Sequence, residues 1–487
     1  MTGVVLGLDQ GTSSTRCLVL DRGLQSLGAA AVPVASSFPS AGLVEQDPIE
    51  LVASARSAID GALANAGVAA SEVVAVGIAN QTETFVVCER DSGRPIHPAI
   101  VWQDRRTDDV CLALSQDGHG EEVRALTGLE LDATFPATKV AWVLDHVSGA
   151  REAAEAGELA YHDVAGWLVR NLCGVELCEA SNASRTLLCR LGGRDWDEGL
   201  LELFGVPRAL LPPIVDSDLA GGDGLAGLVR VNGMLGDQQA SLFGLGCHEA
   251  GTAKVTLGTG AFVLAQSGSV APQPPPGVLG SCAWRLRGQD SFALEGFVPT
   301  AGAALRWSCE IGLLADPASL DALMADAGPE DPALTCVPAF QGLGTPRWDA
   351  SARGAFLGLN LGSTRGQVVR ALVDGILHQV ADAVEAVSAR VPIAEVLVDG
   401  GLSRSDWTVQ RLADVAGVRA RRAVRGESTA IGAAMVAGLA AGFWSDLTEF
   451  PPLATDLVAE PSWSAGQRES RREQWRSAVE LSRSWLD

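Results

Sequence analysis

At 487 residues the chain is long enough for two or three domains, and its content of 47% hydrophobic and 20% charged residues suits a globular protein with a large core. A formal net charge of −23 excludes broad contact with nucleic acid or an anionic membrane, which need basic surface, so an anionic ligand requires local donors or a divalent cation. No apolar run reaches transmembrane length, no signal-like segment opens the chain, and the 10 cysteines lack zinc-site or disulfide-framework spacing, so we expect a cytoplasmic protein with reduced, mostly buried thiols.

The first predicted elements are two strands in VVLGLDQGTSSTRCLVLD, residues 4–21, joined by a small polar turn. Asp9 ends the first strand, and Gln10 to Ser14 offer more backbone donors and hydroxyls than a hairpin needs. A tight turn explains them; so does a phosphate cradle with Asp9 beside a metal ion. A helix follows near 48–66, with Asp47 as cap and Pro48 in the first turn. VVAVGIAN (73–80) reads as a buried strand leading into Gln81–Thr84, and 84–96 as a strand with a turn at Asp91–Gly93. Helices dominate from about 104 to 210.

The opening logic returns near residue 231. VNGMLGDQQASLFGLG (231–246) reads as strand, Gly-Asp turn and short helix; GTAKVTLGTGAFVLAQSG (251–268) is again two strands around Gly258-Thr259-Gly260. Two such hairpins in half-chains of similar length predict a duplicated fold with a ligand between the halves, 1–243 and 244–487. A third glycine turn, Gly400-Gly401, joins a strand to a helix within 393–417, and the small-residue helix 428–442 should approach its neighbours closely. Segments 271–280 and 341–346 read as loops. Only two lysines occur: Lys139 reads as structural and Lys254 as a charge at a strand edge.

Two phosphate-type hairpins and a Gly-Gly turn describe actin-like ATPases, and the finer motifs resemble the FGGY carbohydrate kinases, most closely their glycerol kinase branch. GLDQGTSSTR, GLVEQDPIEL, AIVWQDRRT, SNASRTLL, WDEGLLELFGVPRALLP, GDQQASLFGLGC, KVTLGTGAF, PAFQGLGTPRWDASARGAFLGL and DGGLSRS fall in the family's order from residue 4 to about 444. The resemblance implies an α/β fold of two ribonuclease-H-like domains, with ATP, Mg2+ and a small polyol or sugar in the cleft, and it is compatible with a homodimer. It places Thr12, Ser13, Ser14, Arg16, Thr259, Gly302 and Gly401 at the nucleotide, and Asp9 near Mg2+ through water. Ser405 stands where an asparagine usually lies near the base. Asp237 matches the general base that takes the proton of the attacking hydroxyl; alone, it reads equally as a helix N-cap.

In the same way Trp102 and Phe262 match two aromatic faces around the carbon chain, and Glu83, Asp237 and Gln238 match hydroxyl contacts. Thr82 and Thr134 replace an arginine and a tyrosine, a loss of reach and volume. Glycerol is the leading acceptor the resemblance implies, the alternative being a four- or five-carbon polyol or ketose. A non-catalytic actin-like nucleotide-binding protein is the remote alternative. The loop 220–233 lacks the family's Gly-Gly-Thr-Arg pattern for a sugar bisphosphate, and Val215–Ala220 contains no histidine.

Overall fold

The computed structural model describes residues 3–219, 230–424 and 426–483; residues 220–229, with most of the loop that lacks the Gly-Gly-Thr-Arg pattern, lie outside them. Apolar runs form the centre of the first half. Strand β1 (Val4–Gln10) pairs antiparallel with β2 (Ser14–Leu20), and β2 with β3 (Ser26–Pro33). Helix α1 (Pro48–Ala66) starts where Asp47 accepts the Ile49 N–H at 2.8 Å and ends at Gly67, in the left-handed region at φ 65°. It returns the chain to β4 (Val73–Asn80), parallel to β1.

An excursion then carries the chain through a small sheet (45–46, 85–89, 99–100, 159–163) and several helices, among them α2 (Pro136–His146) and the single turn α3 (Ala180–Ala183). The first sheet is completed by β5 (Val231–Gly236), parallel to β4, followed directly by α4 (Asp237–Gly244). Its order is β5-β4-β1-β2-β3.

The second half repeats this plan. Strands β6 (Ala253–Leu257), β7 (Ala261–Gly268), β8 (Leu279–Leu286) and β9 (Gln289–Val298) are antiparallel neighbours, β7 lying between β6 and β9. Residues 279–280, expected in a loop, open β8. The long helix α5 (Arg365–Ser388) covers this sheet and leads to β10 (Glu395–Asp399), parallel to β6. Helix α6 (Asp406–Ala416), β11 (Arg419–Ala423), α7 (Ser428–Ala440), β12 (Thr455–Ala459) and α8 (Ala465–Arg483) come next in the chain. The order β8-β9-β7-β6-β10-β11-β12 contains, in β9-β7-β6-β10-β11, the first sheet's topology. This is the duplication that the paired hairpins predict, in the ribonuclease-H-like form that the resemblance implies.

Helix α7 crosses between the halves. Eleven of its 13 residues are buried, as befits a helix apolar all round. It packs on β1, β4, β5 and α4 with backbone against backbone. A Cβ on Gly7 would lie 2.0 Å from Ala430 O, and one on Gly77 1.9 Å from Ala433 O; on Gly432 it would meet Ala240 O at 1.8 Å. None of these positions admits a side chain.

Candidate active site

Parallel strands bring their carboxyl ends to one edge, where open α/β sheets place ligands. In register, Gln10 and Gly236 both lie beside Asn80, so β1, β4 and β5 end together. The residues at these ends are Asp9, then Gln81-Thr82-Glu83, then Asp237-Gln238. In the second sheet Thr256 pairs with Asp399, which sets the Gly258 turn beside Gly400-Gly401.

Asp237 is the first helical residue of α4, and Gly236, not Asp237, occupies the cap position; the cap reading is thereby corrected. The strand turns straight into the helix without an intervening turn. Asp237 is half-buried, and its carboxyl is pushed up to about 7 by burial and then by the Glu83 charge, with Glu295 adding; the Gln238 N–H and Lys254 oppose the rise. Asp9 is pushed up to about 7 as well, by burial and by Asp237, against Arg16. Two carboxylates that repel each other thus face one edge.

Glu83 has a left-handed backbone at φ 61°, which turns its side chain into a buried charge chain. Thr82 Oγ1 donates to Glu83 Oε2 at 2.6 Å, and Arg185 Nε donates to Glu83 Oε1 at 2.6 Å. The same guanidinium reaches Glu295 at 3.3 and 3.4 Å and lies 5.4 Å from the Phe135 ring centroid. Arg185 and Glu295 were not singled out from the sequence, although Arg185 sits in the SNASRTLL motif.

Lys254 is not a strand-edge charge. Its strand, β6, is central, between β7 and β10, and the ammonium is fully buried. It donates to Gln238 Oε1 at 2.9 Å and Thr256 Oγ1 at 3.0 Å, so it orients Gln238. Lys139, in α2, donates to Thr134 O at 2.9 Å and Val101 O at 3.3 Å, which fixes the loop before the helix. Burial pulls its ammonium down to about 8. The Thr134 hydroxyl is turned to Asp132 Oδ1 at 2.6 Å, where Arg105 also binds at 2.7 Å.

The first hairpin joins this group. Trp102 Nε1 donates to Thr12 Oγ1 at 3.0 Å, and the Trp102 N–H to Thr84 Oγ1 at 3.2 Å. Gln46, unnoticed within GLVEQDPIEL, bridges the Thr12 carbonyl at 2.6 Å and the Gln81 amide at 2.8 Å. Ser13 is exposed and Ser14 half-buried in the same turn. Arg16 forms an ion pair with Glu427, which precedes α7. Phe262 is half-buried on β7, tilted against Phe297 with centroids 5.0 Å apart.

Thr259, Gly302, Gly401 and Ser405 come together around a cavity of about 650 Å3, with Gly258 and Arg306 also in its wall. A Cβ on Gly302 would lie 2.5 Å from Gly258 O, and one on Gly400, at φ 93°, 2.6 Å from Leu257, so both turns require glycine. Ser405 Oγ accepts the Thr408 N–H at 3.0 Å as the cap of α6 and donates to Asp321. Its hydrogen is therefore committed to Asp321, which leaves one acceptor lone pair. Another cavity, of about 660 Å3, opens at the amino ends of β6 and β10 and contains none of the predicted residues.

The profile of the N-terminal domain of the FGGY family of carbohydrate kinases matches residues 4–244, and that of its C-terminal domain matches 253–441. A glycerol kinase of Aromatoleum aromaticum is 44% identical over 495 residues, 99% of each chain. The crystal structure of Plasmodium falciparum glycerol kinase with ADP superposes at a TM-score of 0.93 with 26% identity, covering 99% of this chain and 98% of that one. A "xyloylose kinase" from Brucella ovis is similar at a TM-score of 0.87 and 27% identity, covering 98% of both chains. With its two profile matches, its duplicated fold and its paired loops, the chain belongs to the FGGY family of carbohydrate kinases.

Proposed function

We propose that this kinase transfers the γ-phosphoryl group of ATP to a hydroxyl of glycerol, giving glycerol 3-phosphate and ADP. The observation that carries the reading is Asp237: it follows the strand end beside the one that leads to Glu83, adjoins Gln238, and lies close enough to raise the Asp9 carboxyl. Its carboxyl titrates near pH 7, the range in which a general base works best. Asp237 takes the proton of the attacking hydroxyl as that oxygen bonds to the γ-phosphorus, and the bond to the ADP oxygen breaks. Glu83 and Gln238, held by Arg185 and Lys254, orient the acceptor; Trp102 and Phe262 flank its carbons. Thr12, Ser13, Ser14 and Arg16 on one side and Thr259 on the other meet the phosphates. Gly302, Gly401 and the cavity beside Ser405 take the nucleoside. We assign the acceptor and first phosphate loop to residues 1–243 and the nucleoside to 244–487.

The site suits Mg2+. Asp9 supplies hard oxygen donors, and a cation held beside it, directly or through water, offsets the repulsion from Asp237. No group of three or more metal-ligating side chains gathers among the described residues. When bound, Mg2+ neutralises phosphate charge. Eight of the ten cysteines are buried thiols, in keeping with a reducing, cytoplasmic setting. Among the described residues no helix is long and apolar enough to cross a membrane.

A four- or five-carbon acceptor is favoured by Thr82 and Thr134, smaller than the residues they replace, with hydroxyls turned to Glu83 and Asp132. The deciding experiment measures kcat/KM by ADP release for glycerol, erythritol, ribitol, xylitol, xylulose and ribulose with ATP and Mg2+. Highest efficiency on glycerol sustains the proposal; a five-carbon substrate ahead of it replaces glycerol. In that case Thr82→Arg with Thr134→Tyr should restore the preference for glycerol.

A further inference from the structure

Glu179 is a fully buried carboxylate surrounded by uncharged donors. Its Oε1 accepts the Ser181 N–H at 2.9 Å and the Ser217 hydroxyl. Its Oε2 accepts the Ser181 hydroxyl and, at 3.2 Å each, the N–H and side-chain amide of Asn182. A group that only accepts satisfies all five. Because the Ser181 hydrogen is committed to Glu179, its lone pairs face outward, and one accepts the Gly236 N–H at 2.9 Å. Because the Asn182 Nδ2 faces Glu179, its Oδ1 is left for Asn80 Nδ2 at 2.9 Å.

Gly236 and Asn80 are cross-strand partners at the ends of β5 and β4. Gly236 leads directly into Asp237-Gln238, and Asn80 into Gln81-Thr82-Glu83. Gly236 has little room to move, since a Cβ there would lie 2.5 Å from both Thr82 Cγ2 and Gln239 Oε1. The segment that holds Ser181 and Asn182 continues into Ser184, which accepts the Cys282 N–H of β8 at 3.1 Å, and Arg185, which holds Glu83.

We infer that Glu179 is a positioning residue for the acceptor site: through Ser181 and Asn182 it clamps the two strand ends that carry the base and the hydroxyl-binding residues. It acts at a distance and touches no substrate. Removing the Ser181 hydroxyl strands a buried N–H one residue before the base, and replacing the carboxylate by an amide sets a donor among donors. The inference rests on the reading of Asp237 as the base.

The test compares Ser181→Ala, Ser181→Thr and Glu179→Gln in the full chain. Ser181→Ala and Glu179→Gln should lower kcat about 10- to 100-fold, as a small displacement of a reacting group does, with the KM for ATP unchanged. Ser181→Thr, which keeps the hydroxyl, should restore kcat. Amide hydrogen exchange of the peptide 231–238 should quicken in Ser181→Ala and Glu179→Gln and not in Ser181→Thr. Wild-type exchange in Ser181→Ala overturns the clamp whether or not turnover is seen, and a wild-type kcat there overturns its role in catalysis. A wild type with no ATP-dependent turnover on any polyol or ketose overturns the functional reading instead, while the exchange measurement still decides the clamp.

Discussion

Arg16 and Glu427 form an ion pair between the two halves of the chain: Arg16 lies on β2 of the first sheet, and Glu427 immediately precedes α7. Glu427 is left-handed at φ 67°, a conformation that residues with side chains rarely adopt. The pair occupies the guanidinium proposed to meet phosphate, and on that reading Glu427 competes with the nucleotide. Glu427→Gln should lower the KM for ATP about two- to fivefold, the scale of a partly exposed ion pair, with kcat unchanged. The gain should fade with added salt. An unaltered KM at low ionic strength would remove Glu427 from nucleotide binding.

Asp237→Asn keeps the shape of the side chain and loses its basicity. Turnover should fall about 10²–10⁴-fold, the contribution of a positioned base, while calorimetry shows ATP bound as in the wild type. Retention of more than about a tenth of wild-type kcat would assign the proton to another group.

The raised carboxyls of Asp9 and Asp237 make stability depend on pH and on the cation. Each titrates near 7 in the folded chain and in the ordinary carboxylate range when unfolded. Between about pH 4 and 7 the folded state therefore binds more protons than the unfolded one, and stability declines as pH rises through that window. Mg2+ held near ionised Asp9, as proposed, should raise the melting temperature at pH 8 and have little effect at pH 5. In Asp9→Asn the response at pH 8 should shrink. An equal Mg2+ shift at both pH values would place the ion elsewhere.

Arg185 neutralises Glu83 and Glu295 where all three are buried. Arg185→Met leaves two uncompensated carboxylates and should cost about 3–5 kcal/mol, the usual penalty for breaking a buried pair from one side. Arg185→Lys keeps the charge without the fork and should cost less. Denaturant unfolding of the three proteins measures the order; a methionine variant as stable as the wild type would show that the guanidinium is not needed to hold the acids.

The parts of the fold legible in the sequence are those with local causes. The apolar runs of β1, β4, β6 and β10, the Asp47–Pro48 start of α1 and the glycine turns at 258–260 and 400–401 each carry their reason within a few residues. The charge network does not. Arg185 meets Glu83 across 102 positions and Glu295 across 110, and the SNASRTLL motif around it names neither partner. Lys254 looked like an edge charge because β10, the neighbour that buries its strand, comes from much later in the chain. Gln46 stood in plain view inside GLVEQDPIEL, yet its partners, the Thr12 carbonyl and Gln81, come from two other segments.

The helix that seals the first sheet, α7, is translated late in the second half. Until Ser428–Ala440 emerge, the faces of Gly7 and Gly77 have no partner, and a newly made amino-terminal half carries bare sheet into solvent. The first sheet can therefore complete its packing only once Ser428–Ala440 are made, unlike an independent unit. A gene divided near residue 244 would yield two fragments with raw, matching faces, dependent on each other for solubility as well as for the cleft.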